Sequence, residues 1–369
     1  MQYLRFLFCL TFLVACSGQR EEQARLSVGE VLGGDSAGFL RALAPRVFSF
    51  PADHGLHPGF RNEWWYLTGN LETATGRRFA YQVTFFSNAL TPPIDTAVAP
   101  ESAWHSERIW MAHVGLTDVA AGEHQAEERF SRENPGLAGA QLDPFRVWLE
   151  NWQLTSTGND FPWQLQVEAE QFAIDLTLLA EKAPVLQGEN GFSRKSAAPG
   201  NASYYYSLTR LQTTGTIHSG GQVFRVSGAS WLDREWSTSV LADDQSGWDW
   251  FSLQFNDGSE LMYYRLRDLQ GQSHPFSLGN RTDQSADQTL IRPEAIRLQE
   301  LNDWRSPSGI SYTTRWQMDY REQSWIIQAV LDDQWMDVSV DYWEGAVDIL
   351  DPDSGAVLGH GFLEMVRQQ

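Results

Sequence analysis

An all-β fold of short antiparallel strands follows from three features of this sequence. Apolar residues recur with a period of two, turn residues punctuate the runs at short intervals, and sustained helical periodicity is scarce. Phe79, Tyr81, Val83 and Phe85 alternate with Ala80, Gln82 and Thr84, as do Phe145, Val147 and Leu149 with their neighbours. Trp163-Gln-Leu165-Gln-Val167-Glu-Ala169 repeats the pattern, and Phe172, Ile174, Leu176 and Leu178 continue it. Turns fall at Thr73–Gly76, Gly158–Asp160, Ser219–Gly221 and Asn256–Ser259. Many short strands with regular turns build barrels or sandwiches. His124–Arg132 is the best helical candidate, and it is short.

The N-terminal end reads as a targeting signal. Arg5 is the only charge before an apolar run that closes on Leu13-Val14-Ala15-Cys16. Sixteen residues fall short of the roughly 20 that a spanning helix needs, whereas a short apolar run ending in small residues suits a secretory signal. Leu-x-Ala-Cys resembles the bacterial lipoprotein box, which assigns residues 1–15 to the signal and Cys16 to lipidation. An ordinary cleaved signal is the alternative. Ser17 after the cysteine favours, by the same resemblance, the periplasmic face of the outer membrane. Only Cys9 and Cys16 exist, so the processed chain has neither disulfide nor thiol chemistry.

Residues 16–46 are expected to form a polar tether, with at most a short helix at Phe39–Leu43 that Pro45 stops. The folded part starts near Phe48, and a length of 369 residues suits two domains. A weak internal repeat supports two units. Glu63-Trp-Trp-Tyr66 leads through a turn at Gly76 to Tyr81, and Gly247-Trp-Asp-Trp250 through a turn at Gly258 to Tyr264. The Gly- and Ser-rich stretch 218–230 is the expected boundary zone, giving domains at 47–229 and 230–369.

The formal charge of −20, or −21 once Arg5 leaves, disfavours nucleic acid and anionic lipid surfaces. Membrane contact is therefore expected through the lipid anchor alone. Sixteen Trp residues point to a core or ligand cavity built on indole rings. Most common catalytic motifs are missing. Gly228-Ala-Ser-Trp lacks the second glycine of a nucleophile elbow, and there is no phosphate loop and no His-Glu-x-x-His. His54 and His57 stand in a loop with Gly55 and Pro58, where no helix fixes a metal geometry. No metal and no cofactor are expected.

Three clusters set carboxylates among aromatics. Asp53, His54, His57, Glu63, Trp64, Trp65 and Tyr66 fall within fourteen residues, a pattern suited to a pocket that holds an apolar ligand and acts on it. In Trp231-Leu-Asp-Arg-Glu-Trp236, a strand would put Asp233, Glu235 and Trp231 on one side and Arg234 and Trp236 on the other. Two carboxylates on one face push their pKa values apart, and burial raises one of them. The competing reading is a structural Arg–carboxylate pair at a domain junction. Tyr342-Trp343-Glu344 repeats the theme, and His113 sits in an apolar strand, either as a functional group or as a satisfied core histidine.

Phe50 through Glu63-Trp-Trp-Tyr66, Phe85-Phe86, Met111-Ala-His113 and Leu116-Thr-Asp118 resemble the AttH-like family. So do Trp231-Leu-Asp-Arg-Glu-Trp236, Gly247-Trp-Asp-Trp250 and Tyr342-Trp-Glu-Gly-Ala-Val347, and the likeness runs from about Phe48 to the C-terminus. That family includes hydroxyneurosporene synthase, a carotenoid 1,2-hydratase, and many secreted or lipid-anchored predicted hydrolases. The resemblance implies two lipocalin-like β-barrel domains packed together.

Hydration of an isolated alkene needs a dry, strong proton donor and electron-rich faces for the carbocation. Asp233 is the expected acid, assisted by His113, Glu235 or Glu63. The ligand wall is expected from His54, Trp64, Trp65, Tyr66, Trp231, Trp236, Trp248, Trp250, Trp343 and Glu344. The same set would serve hydrolysis, although no nucleophile is evident. The rival classes are a carrier of a hydrophobic small molecule or lipid without chemistry, and an accessory of an envelope export complex.

Overall fold

The computed structural model describes residues 36–93, 106–158, 160–239 and 241–367; the signal of residues 1–15 and Cys16 lie outside them. The chain forms two antiparallel sheets. The first comprises β1 (Asn62–Glu72), β2 (Arg78–Ala89), β3 (Arg108–Asp118), β4 (Glu123–Arg132), β5 (Ala138–Leu142), β6 (Phe145–Leu149) and β7 (Trp152–Ser156). It continues through β8 (Trp163–Glu168), β9 (Phe172–Ala180), β10 (Val185–Leu186), β11 (Phe192–Arg194), β12 (Ala202–Ser219) and β13 (Gln222–Ser237). The second comprises β14 (Gln245–Phe255), β15 (Glu260–Asp268), β16 (Leu278–Thr282), β17 (Gln288–Ile291) and β18 (Ile296–Arg305). Then follow β19 (Ser311–Tyr320), β20 (Gln323–Ala329), β21 (Trp335–Met336), β22 (Tyr342–Leu350) and β23 (Val357–Arg367). Two single turns of 3₁₀ helix are the only helical elements among the described residues.

The first sheet runs from β4 through β1, β13 and β12 to β5, and it curls until β4 meets β6, a near-barrel. The second is a half-barrel. In β8 every second residue is buried, because one face of a strand meets the core and the other does not. The first interior holds Trp65, Trp110, Trp152 and Trp163, and the second holds Trp316 and Trp343. Both interiors are filled with apolar and aromatic side chains.

The two sheets share a plan. In the first, β1 lies between β2 and β13; in the second, β14 lies between β15 and β23. The outer faces of these central strands meet, with Tyr66, Tyr205 and Trp231 against Trp250, Met262, Tyr264 and Phe362. Ion pairs tie the seam: Arg78 to Asp348 at 2.7 Å, and Lys182 and Arg210 to the fully buried Glu260 at 2.8 and 2.7 Å.

Four expectations are corrected. His124–Arg132 is strand, within β4, which pairs along its whole length with β3. As a half-exposed edge it tolerates charges on both faces, so it lacks apolar alternation, and pairing overrides propensity. No helix forms at Phe39–Leu43, where the Leu40 amide donates to Gly59 O at 2.8 Å and Ala42 is buried. The part of the tether from 36 to 46 therefore lies on the fold. The boundary set at 229/230 falls inside β13, which pairs with β1 as far as Ser237. Gly220 and Gly221, both at positive φ, make the β12–β13 hairpin turn instead, and the sheets part at 238–244.

Candidate functional site

A cavity of about 160 Å³ lies between the two outer faces, not inside either barrel. Its walls are largely aromatic, with Trp64 and Tyr66 from β1, Phe86 from β2, Trp248 and Trp250 from β14 and Tyr264 from β15. Strand alternation explains this sorting. Trp64 and Tyr66 point to the seam, while Trp65 between them points into the first barrel.

Four carboxyl groups face this space, Asp233, Glu235 and Glu344 buried and Glu364 half-buried. Asp233 accepts hydrogen bonds from Ser207, from Tyr205 and from Trp231 Nε1, the last at 2.7 Å. Burial raises its pKa; these three donors pull it back and Glu235 pushes it up again, leaving it at about 7. Trp250 Nε1 donates to the Tyr205 hydroxyl at 3.1 Å, so the second unit supports the acid of the first. Glu235 accepts from Ser203 and pairs with Lys195 at 3.1 Å. Burial works against the Lys195 ammonium, but Glu235 and Tyr264 outweigh it and hold the pKa above its usual value. The ammonium lies 4.2 Å from the Tyr264 ring centroid, a cation–π contact.

On the opposite wall, burial raises Glu364 to about 8, and Trp248 Nε1 donates to it at 3.1 Å. Burial and the neighbouring Glu364 push Glu344 well above the carboxylate range. His113 Nδ1 meets the Tyr342 hydroxyl at 2.8 Å, and burial lowers this imidazole to about 3, so it is neutral. The arrangement can deliver a proton at neutral pH into a space walled by aromatic rings.

The cavity thus gathers Asp233, Glu235, His113, Trp64, Tyr66, Trp248, Trp250 and Glu344 of the residues anticipated from the sequence. Six others lie elsewhere. Glu63 is buried on the barrel side with Arg234, Arg108 and His57. Burial pushes Glu63 up, but Arg234, His57 and Arg108 outweigh it and hold the carboxyl at about 2, a permanent anion. Trp65 and Trp236 belong to the same structural cluster: the Arg234 guanidinium lies 3.7 Å over Trp65, and His57 stacks on Trp236 at 3.7 Å. His54 Nδ1 meets the Tyr206 hydroxyl at 2.6 Å, and burial lowers the ring to about 4. Trp343 is in the second core, donating to Asp332 O at 2.8 Å. Trp231 stands behind Asp233 as its hydrogen-bond donor.

Lys195, Tyr205 and Glu364 were not anticipated, and Tyr264 and Tyr342 stood out only as members of their motifs, not as site residues. One signal was available. The chain carries two lysines among its 27 basic residues, Lys182 and Lys195, and both meet buried glutamates at the seam.

An AttH-like family model matches residues 41–367. No curated protein matches the chain. Among solved structures, a protein assigned as an AttH from Nitrosomonas europaea is 33% identical, with 89% of this chain and 99% of that one covered and a TM-score of 0.79. Kievitone hydratase from Nectria haematococca is 13% identical over 89% and 98% of the two chains, with a TM-score of 0.65. CghA is 14% identical over 89% and 97%, with a TM-score of 0.53. These last two share the fold alone. A family model spanning nearly all the described residues, with a relative one-third identical along almost the whole of its own length, makes this chain a member of the AttH-like family.

Proposed function

We propose that the protein adds water across an isolated double bond of an isoprenoid- or lipid-like substrate held between its two barrels. The observation that carries this reading is Asp233, a carboxyl group that titrates near neutrality inside an aromatic cavity. Its proton passes to the alkene carbon, and the donors from Ser207, Tyr205 and Trp231 stabilise the carboxylate left behind. The carbocation then faces indole and phenol rings. Water attacks it, its spare proton goes to Glu235 on the same strand face, and that proton restores Asp233. Kievitone hydratase, a hydratase by name, shares this fold, which supports hydration over hydrolysis. We further propose export by residues 1–15 and lipid anchoring at Cys16 in the bacterial envelope, beside membrane-dissolved substrates.

The test is incubation with a panel of acyclic isoprenoid alkenes in ¹⁸O-labelled water, with labelled alcohol as the readout. Asp233→Asn keeps the shape but removes the proton, so turnover should fall by a factor on the order of 10²–10⁴ while the melting temperature changes little. Normal turnover by this variant would sink the assignment. Ligand retained without labelled product in any form would leave a carrier.

A further inference from the structure

Glu344 and Glu364 are directly opposed on neighbouring strands, β22 and β23, and both line the cavity, Glu344 buried and Glu364 half-buried. Directly opposed like charges destabilise a sheet, so an unpaired acid pair here stands out. Around the pair stand Tyr66 of β1, His113 of β3 with Glu128 of β4 behind it, and Tyr342 of β22 itself. Beyond them are Tyr205 of β12, Asp233 and Glu235 of β13, Tyr264 of β15, and Lys195, which follows β11. Lys195 is the only cation lining the cavity among the described residues, and Glu235 already holds it. His113 is neutral. A second observation points into the same space. Glu344 Oε1 and the Tyr66 hydroxyl, both buried, lie side by side, yet neither reaches normal hydrogen-bond geometry with any partner.

We propose that the Glu344–Glu364 pair is a cation site, built for the positive head of a lipophilic molecule and walled by Trp64, Tyr66 and Trp248. The occupant is a tetrahedral ammonium on an apolar tail or, resting on the hydration reading above, the carbocation formed when Asp233 gives up its proton. Both present a diffuse positive charge to carboxylates and ring faces. Without a cation, burial and mutual repulsion keep the pair protonated. An entering cation reverses this, so binding releases a proton and is opposed at low pH.

The probe is octyltrimethylammonium, whose charge does not titrate, with 1-octanol as the neutral comparator. Calorimetry in buffers of different ionisation enthalpy should show proton release for the ammonium and none for the alcohol. Affinity for the ammonium should rise up to about tenfold per pH unit from pH 6 to 8. Glu344→Gln and Glu364→Gln, checked for unchanged melting, should each weaken it more than about tenfold and flatten the pH profile. Should either variant unfold, the pH dependence of the unaltered protein decides alone. Equal affinity for ammonium and alcohol, or pH-independent binding, would overturn the proposal. Ammonium binding with proton release but no hydrated alkene would keep the cation site and remove the hydration reading. Hydration without ammonium binding would do the reverse.

Discussion

Asp233 and Glu63 are buried carboxyl groups on paired strands, and their pKa values move in opposite directions. Asp233 has neutral donors and rises; Glu63 has Arg234 and Arg108 and falls. The sequence marked Asp233 as the acid and Glu63 as one of its assistants, because strand alternation gives the side a residue faces but not the partner it meets there. For Asp233, Glu235 and Trp231 the alternation sufficed, since all three face the seam and Arg234 does not. Replacing Arg234 with Met would strand Glu63 without its main counter-charge, which should cost about 3–5 kcal/mol in denaturant unfolding. A loss under 1 kcal/mol would show that Arg108 and His57 suffice. The raised acids also set a pH dependence. Asp233 and Glu364 bind protons more tightly when folded, so their contribution is full below about pH 4 and is lost as pH rises through 7 to 8. Glu63 acts in the opposite sense: its contribution is present above about 4.5 and is lost as pH falls toward 2. The buried imidazoles of His54, His113 and His124, lowered by burial, oppose this only below about pH 6.5, so melting temperature should fall from pH 7 to pH 9; a flat profile there would contradict protonated acids in the cavity.

Strands β22 and β13 show what a motif encodes at the level of an element. In Tyr342-Trp-Glu-Gly-Ala346 the glutamate faces the cavity and Trp343 the second core. The glycine makes room for Gln334, whose amide spans the Ala346 backbone and reaches Thr117 of the first sheet at 3.1 Å. A Cβ on Gly345 would stand 2.3 Å from Gln334 Cδ. Gly345→Ala should thus lower stability by about 1–3 kcal/mol through overpacking; an unchanged melting curve would refute the role given to Gln334. Strands with one buried face, such as β8 and β9, were legible from alternation. The edge strand β4 was not, since neither of its faces is fully buried. The β12–β13 hairpin was mistaken for a boundary because a two-glycine turn and a linker share a composition.

Across the whole molecule, the two units repeat one plan with one substitution. Tyr66 of β1 opposes Asp233 of β13, and Trp250 of β14 opposes Glu364 of β23. Next along, Asp233 neighbours Ser207 while Glu364 neighbours Glu344, so one acid gains a donor and the other a rival. The weak hairpin likeness in the sequence pointed to two units but not to the cavity, because long-range pairing alone brings β12, β13, β22 and β23 to one seam. Residues 245–367 made alone would expose Trp248, Trp250, Met262, Tyr264 and Phe362 as one apolar face. That fragment should elute as aggregates or bind a hydrophobic dye strongly, whereas the intact chain should not. A monodisperse fragment would mean that the seam is dispensable for folding.

The placement of the lysines has a consequence for how this molecule meets reagents. Lys182 and Lys195 hold their ammonium groups at buried glutamates, one at the rim of the seam and one in its depth. Apart from the α-amine, then, the closed chain offers amine-directed acylation no exposed target. Arginines carry the rest of the positive charge and are inert to that chemistry. The rate at which the two side chains become labelled is accordingly a clock for the parting of the barrels, with no background from the remaining surface.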